Sequence, residues 1–153
     1  MADRRTSDGS RFLLQSTTIV QTRDYVAIDV EMIHDVRIIP LDGHPHVPSA
    51  IRQWMGDSVG HWEGDTLVVD TAGFNSGSQL YPGVPHTEKL HMTARYRLIN
   101  DASLMEIIYT YDDPGSVLRP IRFARILQRG EPRQSQEAIC GENNKELEGV
   151  YNR

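Results

Sequence analysis

The stretch Gly60-His61-Trp62-Glu63-Gly64-Asp65-Thr66-Leu67-Val68-Val69-Asp70-Thr71 reads as two strands joined by a tight turn at Glu63-Gly64-Asp65. Side chains alternate along a strand, so the turn length decides which of them share a face. A two-residue turn groups Asp57, Val59 and His61 with Thr66, Val68 and Asp70. Ser58, Gly60 and Trp62 then share the opposite face with Leu67, Val69 and Thr71. The second face is the drier one and is expected to point inward. The first collects a histidine and two carboxylates, and a three-residue turn would undo the grouping. A solvated outer face is the plainer reading of that set. Against it, two like charges on neighbouring strands disfavour each other unless one holds a proton or both meet a cation.

Working outward, strand signals dominate. Thr17 to Gln21 is short and β-branched, and Thr22-Arg23-Asp24 looks like a turn. Tyr25 to Met32 alternates, with Val26, Ile28, Val30 and Met32 on one face. Val36 to Pro40 is a further short strand. His44 to Gly56 carries two prolines and fits a loop with at most one helical turn near Ser49 to Gln53. Asn75 to His86 is rich in Gly, Ser and Pro and reads as a long exposed loop. His91 to Ile99 and Leu104 to Tyr111 form the clearest hairpin, Asp113-Pro114-Gly115-Ser116 a turn, and Pro120 to Gln128 another strand. Ser135 to Cys140 is a candidate last strand, residues 1–10 look loose, and 141–153 is a polar tail, either a short helix or disordered. About nine short strands in one domain spanning 1–153 predict an all-β fold with minor α content. The expected architecture is an antiparallel barrel, a strongly curved sheet or a sandwich, and a barrel of about eight strands is wide enough for one small ligand.

The later hairpin separates into two faces. Met92, Ala94, Tyr96 and Leu98 align with Met105, Ile107, Tyr109 and Tyr111. His91, Thr93, Arg95 and Arg97 align with Glu106, Ile108, Thr110 and Asp112. The Tyr and Met face is either plain core or the adaptable wall of a ligand cavity. On the charged face Arg97 and Glu106 make a surface ion pair worth little. Trp62 is expected under the first hairpin, and Trp54 is either core or the cap of a pocket.

Bulk properties narrow the partners. With 153 residues, 39% hydrophobic and 24% charged, the chain has ordinary globular composition. A formal net charge of -5 and no basic run argue against nucleic acid as the main partner. No apolar run approaches the ~20 residues of a membrane-spanning helix, and the N-terminus has no apolar signal-peptide core. A cytoplasmic location is therefore expected. The single cysteine, Cys140, excludes an internal disulfide and lacks a reactive context. Exposed strand edges in such folds pair readily, which allows a homodimer.

Six histidines, His34, His44, His46, His61, His86 and His91, supply the proton chemistry. His44-Pro45-His46 has metal-ligand spacing, but the following Val47, Pro48, Ser49 and Ala50 include no acidic ligand. A metal site from His44, His46 and His86 or His91 is one alternative, although solvated or hydrogen-bonded loop histidines are the plainer reading. No nucleophile elbow, phosphate loop, dinucleotide fingerprint or zinc-protease helix motif occurs, so no cofactor is expected.

The runs His46-Val47-Pro48, Gln53-Trp54-Met55-Gly56-Asp57-Ser58 and the Gly60 to Thr71 hairpin resemble a widespread, functionally uncharacterised group of bacterial proteins. Leu90-His91, Arg95-Tyr96, Asp112-Asp113-Pro114 and Cys140-Gly141-Glu142-Asn143-Asn144 are similar to later parts of the same group, so the resemblance covers about Tyr25 to Asn144. It implies a β-rich fold similar in flavour to lipocalin or calycin barrels, and an export signal that many members carry and this chain does not show. The positions that match its pattern and can do chemistry are His46, Asp70, His91 and Arg95. His44 and His61 depart from it, since Arg is frequent at both places.

The leading expectation is a barrel enzyme without cofactor or metal. It would move protons on an apolar or aromatic small molecule, as a lyase, isomerase or cyclase does. His46 and His91 would be acid or base, Asp70 would orient one of them, and Arg95 would stabilise negative charge. Trp54, Trp62, Tyr96 and Tyr109 would shape the pocket. The alternatives are a non-catalytic lipocalin-like binding module and a metal-dependent barrel enzyme.

Overall fold

The first hairpin closes as a two-residue turn. The computed structural model describes residues 17–30, 35–77, 79–81 and 84–130. In chain order its strands are β1 (Thr17–Gln21), β2 (Tyr25–Val30), β3 (Asp35–Pro40), β4 (Asp57–Glu63), β5 (Thr66–Ala72), β6 (Gln79–Tyr81), β7 (Val84–Pro85), β8 (His91–Ile99), β9 (Leu104–Asp112) and β10 (Ile121–Gln128). Glu63 pairs with Thr66, and Gly64 takes up the bend at φ 63°, a left-handed conformation that costs glycine no Cβ clash. This register puts Ser58 opposite Thr71, Gly60 opposite Val69 and Trp62 opposite Leu67, the grouping expected for the inward face.

Two antiparallel sheets result, ordered β1-β2-β3 and β10-β9-β8-β5-β4, with β6 and β7 as a separate small pair. Val26, Ile28 and Ile39 of the smaller sheet bury against Leu67, Val69 and Ala94 of the larger one. Parity explains the choice: Val26 pairs with Ile39, and Val69 pairs with both Gly60 and Ala94. The sheets approach closely where β3 crosses β4. A Cβ at Gly60 would lie 2.7 Å from Ile39 Cγ2, so the crossing requires glycine there. A second apolar cluster of Phe74, Leu90 and Met92 closes one end.

The all-β expectation holds: the described residues contain strands and turns, no helix, and only antiparallel strand pairs within the sheets. They also contain no helix long and apolar enough to cross a membrane. Three details differ from the sequence reading. Asn75 to His86 is not a structureless loop: it folds back as β6 and β7, and His86 is buried with its ring centroid 5.9 Å from that of Phe74. Trp62 has inward parity but stays 45% exposed, because it sits at the turn end of an edge strand. Finally, the described strands form sheets of five, three and two strands, with no closed barrel among them. The strand expected at Ser135 to Cys140 and the tail at 141–153 lie outside the described residues.

A candidate acid–base relay

The outward face of the large sheet gathers the titratable groups. Asp70 in β5 and Asp57 in β4 lie diagonally across the same face, since Asp70 pairs with Val59, two residues from Asp57. Between them stands His46, from the loop after β3. Its Nδ1 lies 2.8 Å from Asp57 Oδ2 and its Nε2 lies 2.8 Å from Asp70 Oδ2. The loop is anchored at this point, because Val47 N–H donates to the same Asp57 oxygen at 3.1 Å. The like-charge conflict foreseen for the two aspartates is thus met by an imidazole placed between them, within hydrogen-bond distance of both.

His91 extends the line. It begins β8, and its Nε2 lies 2.8 Å from Asp70 Oδ1 and 3.0 Å from Oδ2. The sequence therefore runs Asp57, His46, Asp70, His91, from the half-buried end to the exposed end. Asp57 is 16% exposed at its side chain, His46 25% and His91 48%. Among the described residues His91 Nδ1 has no hydrogen-bond partner.

Burial works against the charged form of His46, but the hydrogen bonds to Asp70 and Asp57 outweigh it and raise its pKa above the ordinary value of 6.5. The sign for stability follows. A raised folded pKa makes the His46 contribution complete below the unfolded value of 6.5, and the contribution fades as pH rises through the higher folded value. The excess stability of wild type over His46→Gln, read from urea midpoints, is therefore expected to shrink from mildly acid to mildly alkaline solution. A difference independent of pH would show that the imidazolium does not bridge the aspartates.

The remaining expected site residues fall elsewhere. Arg95 lies on the same face as His91, but four residues along β8, roughly 13 Å at ~3.3 Å per residue. Its Nη2 binds Glu63 Oε2 at 2.7 Å, and Glu63 also meets His61 at 3.2 Å. Arg95 thus forms an exposed ion pair away from the relay. The foreseen surface pair of Arg97 and Glu106 is present at 3.1 Å. Trp62, Tyr96 and Tyr109 lie on the inward face, away from the relay, whereas Trp54 lines a cleft that Asp57 borders. Trp62 and Tyr96 border a recess of about 120 Å³ between the sheets, together with Ile19 and Ile28. Tyr109 stacks with Tyr111 and Phe123, with ring centroids 5.1 to 6.2 Å apart. Burial raises the pKa of Tyr96 and pushes that of Tyr111 up to about 12, with Tyr109 adding to both. Of the residues anticipated as one pocket, Trp62, Tyr96 and Tyr109 are thus separated by the sheet from His46, Asp70 and His91.

The His44 ring instead meets Asp42 at 2.6 Å. With His86 packed on Phe74, the histidine set considered for a metal is not assembled, and the described residues hold no group of three or more side chains placed to bind one.

Sequence reasoning missed Arg37. It lies on the buried side of β3, in register with Ile28, and its Nη1 donates to Met55 O at 3.0 Å, Ser58 Oγ at 2.5 Å and Thr71 Oγ1 at 3.4 Å. Ser58 and Thr71 also bond each other at 3.0 Å. The sequence carried no signal for this: Val36 and Ile38 make the opposite face of β3 the more apolar one, yet they are exposed and Ile39 is buried, which turns Arg37 inward.

No family model, curated protein or solved structure matches the chain. What it does must be argued from these side chains.

Proposed function

We propose that the protein is a proton-transfer enzyme whose own side chains supply the acid and base, with His91 as the group that meets the substrate. One observation carries the reading: His91 Nε2 is held by Asp70, while Nδ1 has no partner among the described residues and the ring is half exposed. A carboxylate on one imidazole nitrogen fixes the tautomer with the proton there, leaving the other nitrogen free to accept one. The base would take a proton from carbon, leaving the electron pair on an enolate, and return it at the same or a neighbouring carbon. Asp70 would stabilise the imidazolium formed. His46, bridging Asp57 and Asp70, would be a positioning residue that keeps Asp70 in place.

The substrate would be an apolar or aromatic carbonyl compound, and the reaction an isomerisation, elimination or cyclisation. Kinship with the bacterial group that shares the Trp-Glu-Gly-Asp hairpin, and the lipocalin-like comparison, belong to this proposal too. Solvent deuterium incorporation into a panel of cyclic ketones and enones, followed by mass spectrometry, tests it. Wild type is expected to exchange at least one of them, and folded His91→Ala none. Equal exchange by that variant would sink the assignment.

A second reading is a non-catalytic binding module. It is favoured by the placement of Trp62, Tyr96, Tyr109 and Arg37 on the side of the sheet away from His91. Ligand protection against thermal unfolding, without turnover, would support it.

A further inference from the structure

A cleft of about 580 Å³ lies at the corner where β3 meets the start of β4. Val36, Arg37, Ile38, Trp54 and Met55 line it, with Ser58 at its base. Its volume falls within the range typical of small-molecule sites.

Arg37 is the feature that needs an explanation. It is half-buried, and among the described residues no carboxylate lies within 4 Å of it. Its three partners are uncharged, and all of them use Nη1. Every fully buried polar side-chain atom among the described residues has a partner, so the unused Nε and Nη2 groups reach solvent. A guanidinium taken partly out of water without an anion is costly. Its planar fork matches a carboxylate in two parallel hydrogen bonds. The surroundings do not supply the missing charge. Tyr96 and Tyr111, whose pKa values burial raises, are neutral neighbours at physiological pH, and Asp35 adds only a distant attraction. The Asp57 carboxylate on the cleft rim is already engaged by His46 and Val47.

Trp54 supplies an apolar platform beside this charge. It is 66% exposed, yet it is held in place. The preceding Gln53 bonds the backbone of Gly73 and Asn75 at 2.9 Å each, and a Cβ at Gly77 would come within 2.7 Å of the indole ring. A large exposed aromatic fixed beside an unpaired guanidinium fits a ligand with a flat or apolar body and one anionic end.

We infer that this cleft binds a small organic carboxylate, its anionic end on Arg37 and its apolar body against Trp54 and Met55. The inference rests on the second reading, that a ligand binds apart from His91, and adds the ligand's charge. It does not depend on His91.

Benzoate and its neutral analogue benzamide are the probes. Binding is read by calorimetry and by quenching of Trp54 emission in a Trp62→Phe background. Benzoate is expected to saturate at about millimolar affinity, in keeping with its few non-hydrogen atoms. Benzamide should bind about tenfold or more weakly, and Arg37→Gln should remove that preference. Trp54→Ala, a change at an exposed position, should weaken benzoate binding in a folded protein. It decides the matter if Arg37→Gln does not fold. Equal binding of both probes, unaffected by Arg37→Gln, would overturn the charge assignment while leaving the cleft a binding site. Saturation by neither probe would overturn both. Unchanged benzoate affinity in Trp54→Ala would also overturn the proposal.

Discussion

Asp70→Asn is expected to slow proton transfer by about 10²- to 10⁴-fold, the range typical of a disabled acid–base partner. The amide is nearly isosteric, so the strand and its pairing with β4 and β8 survive. What changes is the charge at one point where two imidazoles converge: His46 Nε2 at 2.8 Å and His91 Nε2 at 2.8 Å. Only the oxygen of the substituted amide can accept, and its NH₂ must face the other ring. His91 is then driven toward the tautomer with its proton on Nδ1, where it can no longer take one from a substrate. His46 loses one of the two carboxylates that hold its proton, so its pKa should fall toward the ordinary value. NMR titration of the imidazoles reads the second effect independently of any substrate. An unchanged His46 titration in folded Asp70→Asn would remove Asp70 from the centre of the relay.

The largest expected loss of stability comes from Asp113→Ala, about 3 kcal/mol, or about 10 °C in Tm. Asp113 is wholly buried. One oxygen accepts from Thr87 N–H at 2.6 Å. The other accepts from Thr87 Oγ1 at 2.6 Å and Gly115 N–H at 3.0 Å. The carboxylate thus ties the turn after β9 to the segment between β7 and β8. Alanine leaves these donors without their shared acceptor. Burial alone would raise the Asp113 pKa, but the bonds from Thr87, Gly115 and Ser116 outweigh it and hold the pKa below 3.8. The contribution is therefore present above the unfolded value of 3.8 and lost as pH falls through the lower folded value. Thermal unfolding of wild type and variant should converge in strong acid. A loss below about 1 kcal/mol at neutral pH would mean that water replaces the carboxylate.

Much of this was legible because strands impose period two. Once Glu63 and Thr66 face each other, the positions of Asp57 and Asp70 on one side and of Trp62 and Leu67 on the other follow without further information. Parity also put His91 on the charged face of β8, which the pairing of β8 with β5 makes the relay side. What the sequence did not disclose was long-range placement. Nothing local in His44-Pro45-His46 says that the second histidine, and not the first, spans two aspartates. Arg95 was grouped with His91 by face alone, and parity carries no distance: the two are separated by a turn-sized length of strand and by the claim of Glu63. Trp62, Tyr96 and Tyr109 were assigned to the same pocket as the histidines for want of the sheet that divides them. Asp113 looked like an ordinary turn residue because the depth of a turn depends on what folds over it, here the segment around Thr87.

The Gly64-Asp65 turn has a consequence for how such a chain can vary. Lengthening or shortening it by one residue leaves composition and net hydrophobicity almost untouched. It would nevertheless rotate every later position of β5 to the other surface, carrying Asp70 into the apolar interior and Val69 into water. The spacing between Trp62 and Leu67 is thus held more tightly than the identity of Glu63 or Asp65. Descendants of this chain are free to exchange residues there, but not to change their number.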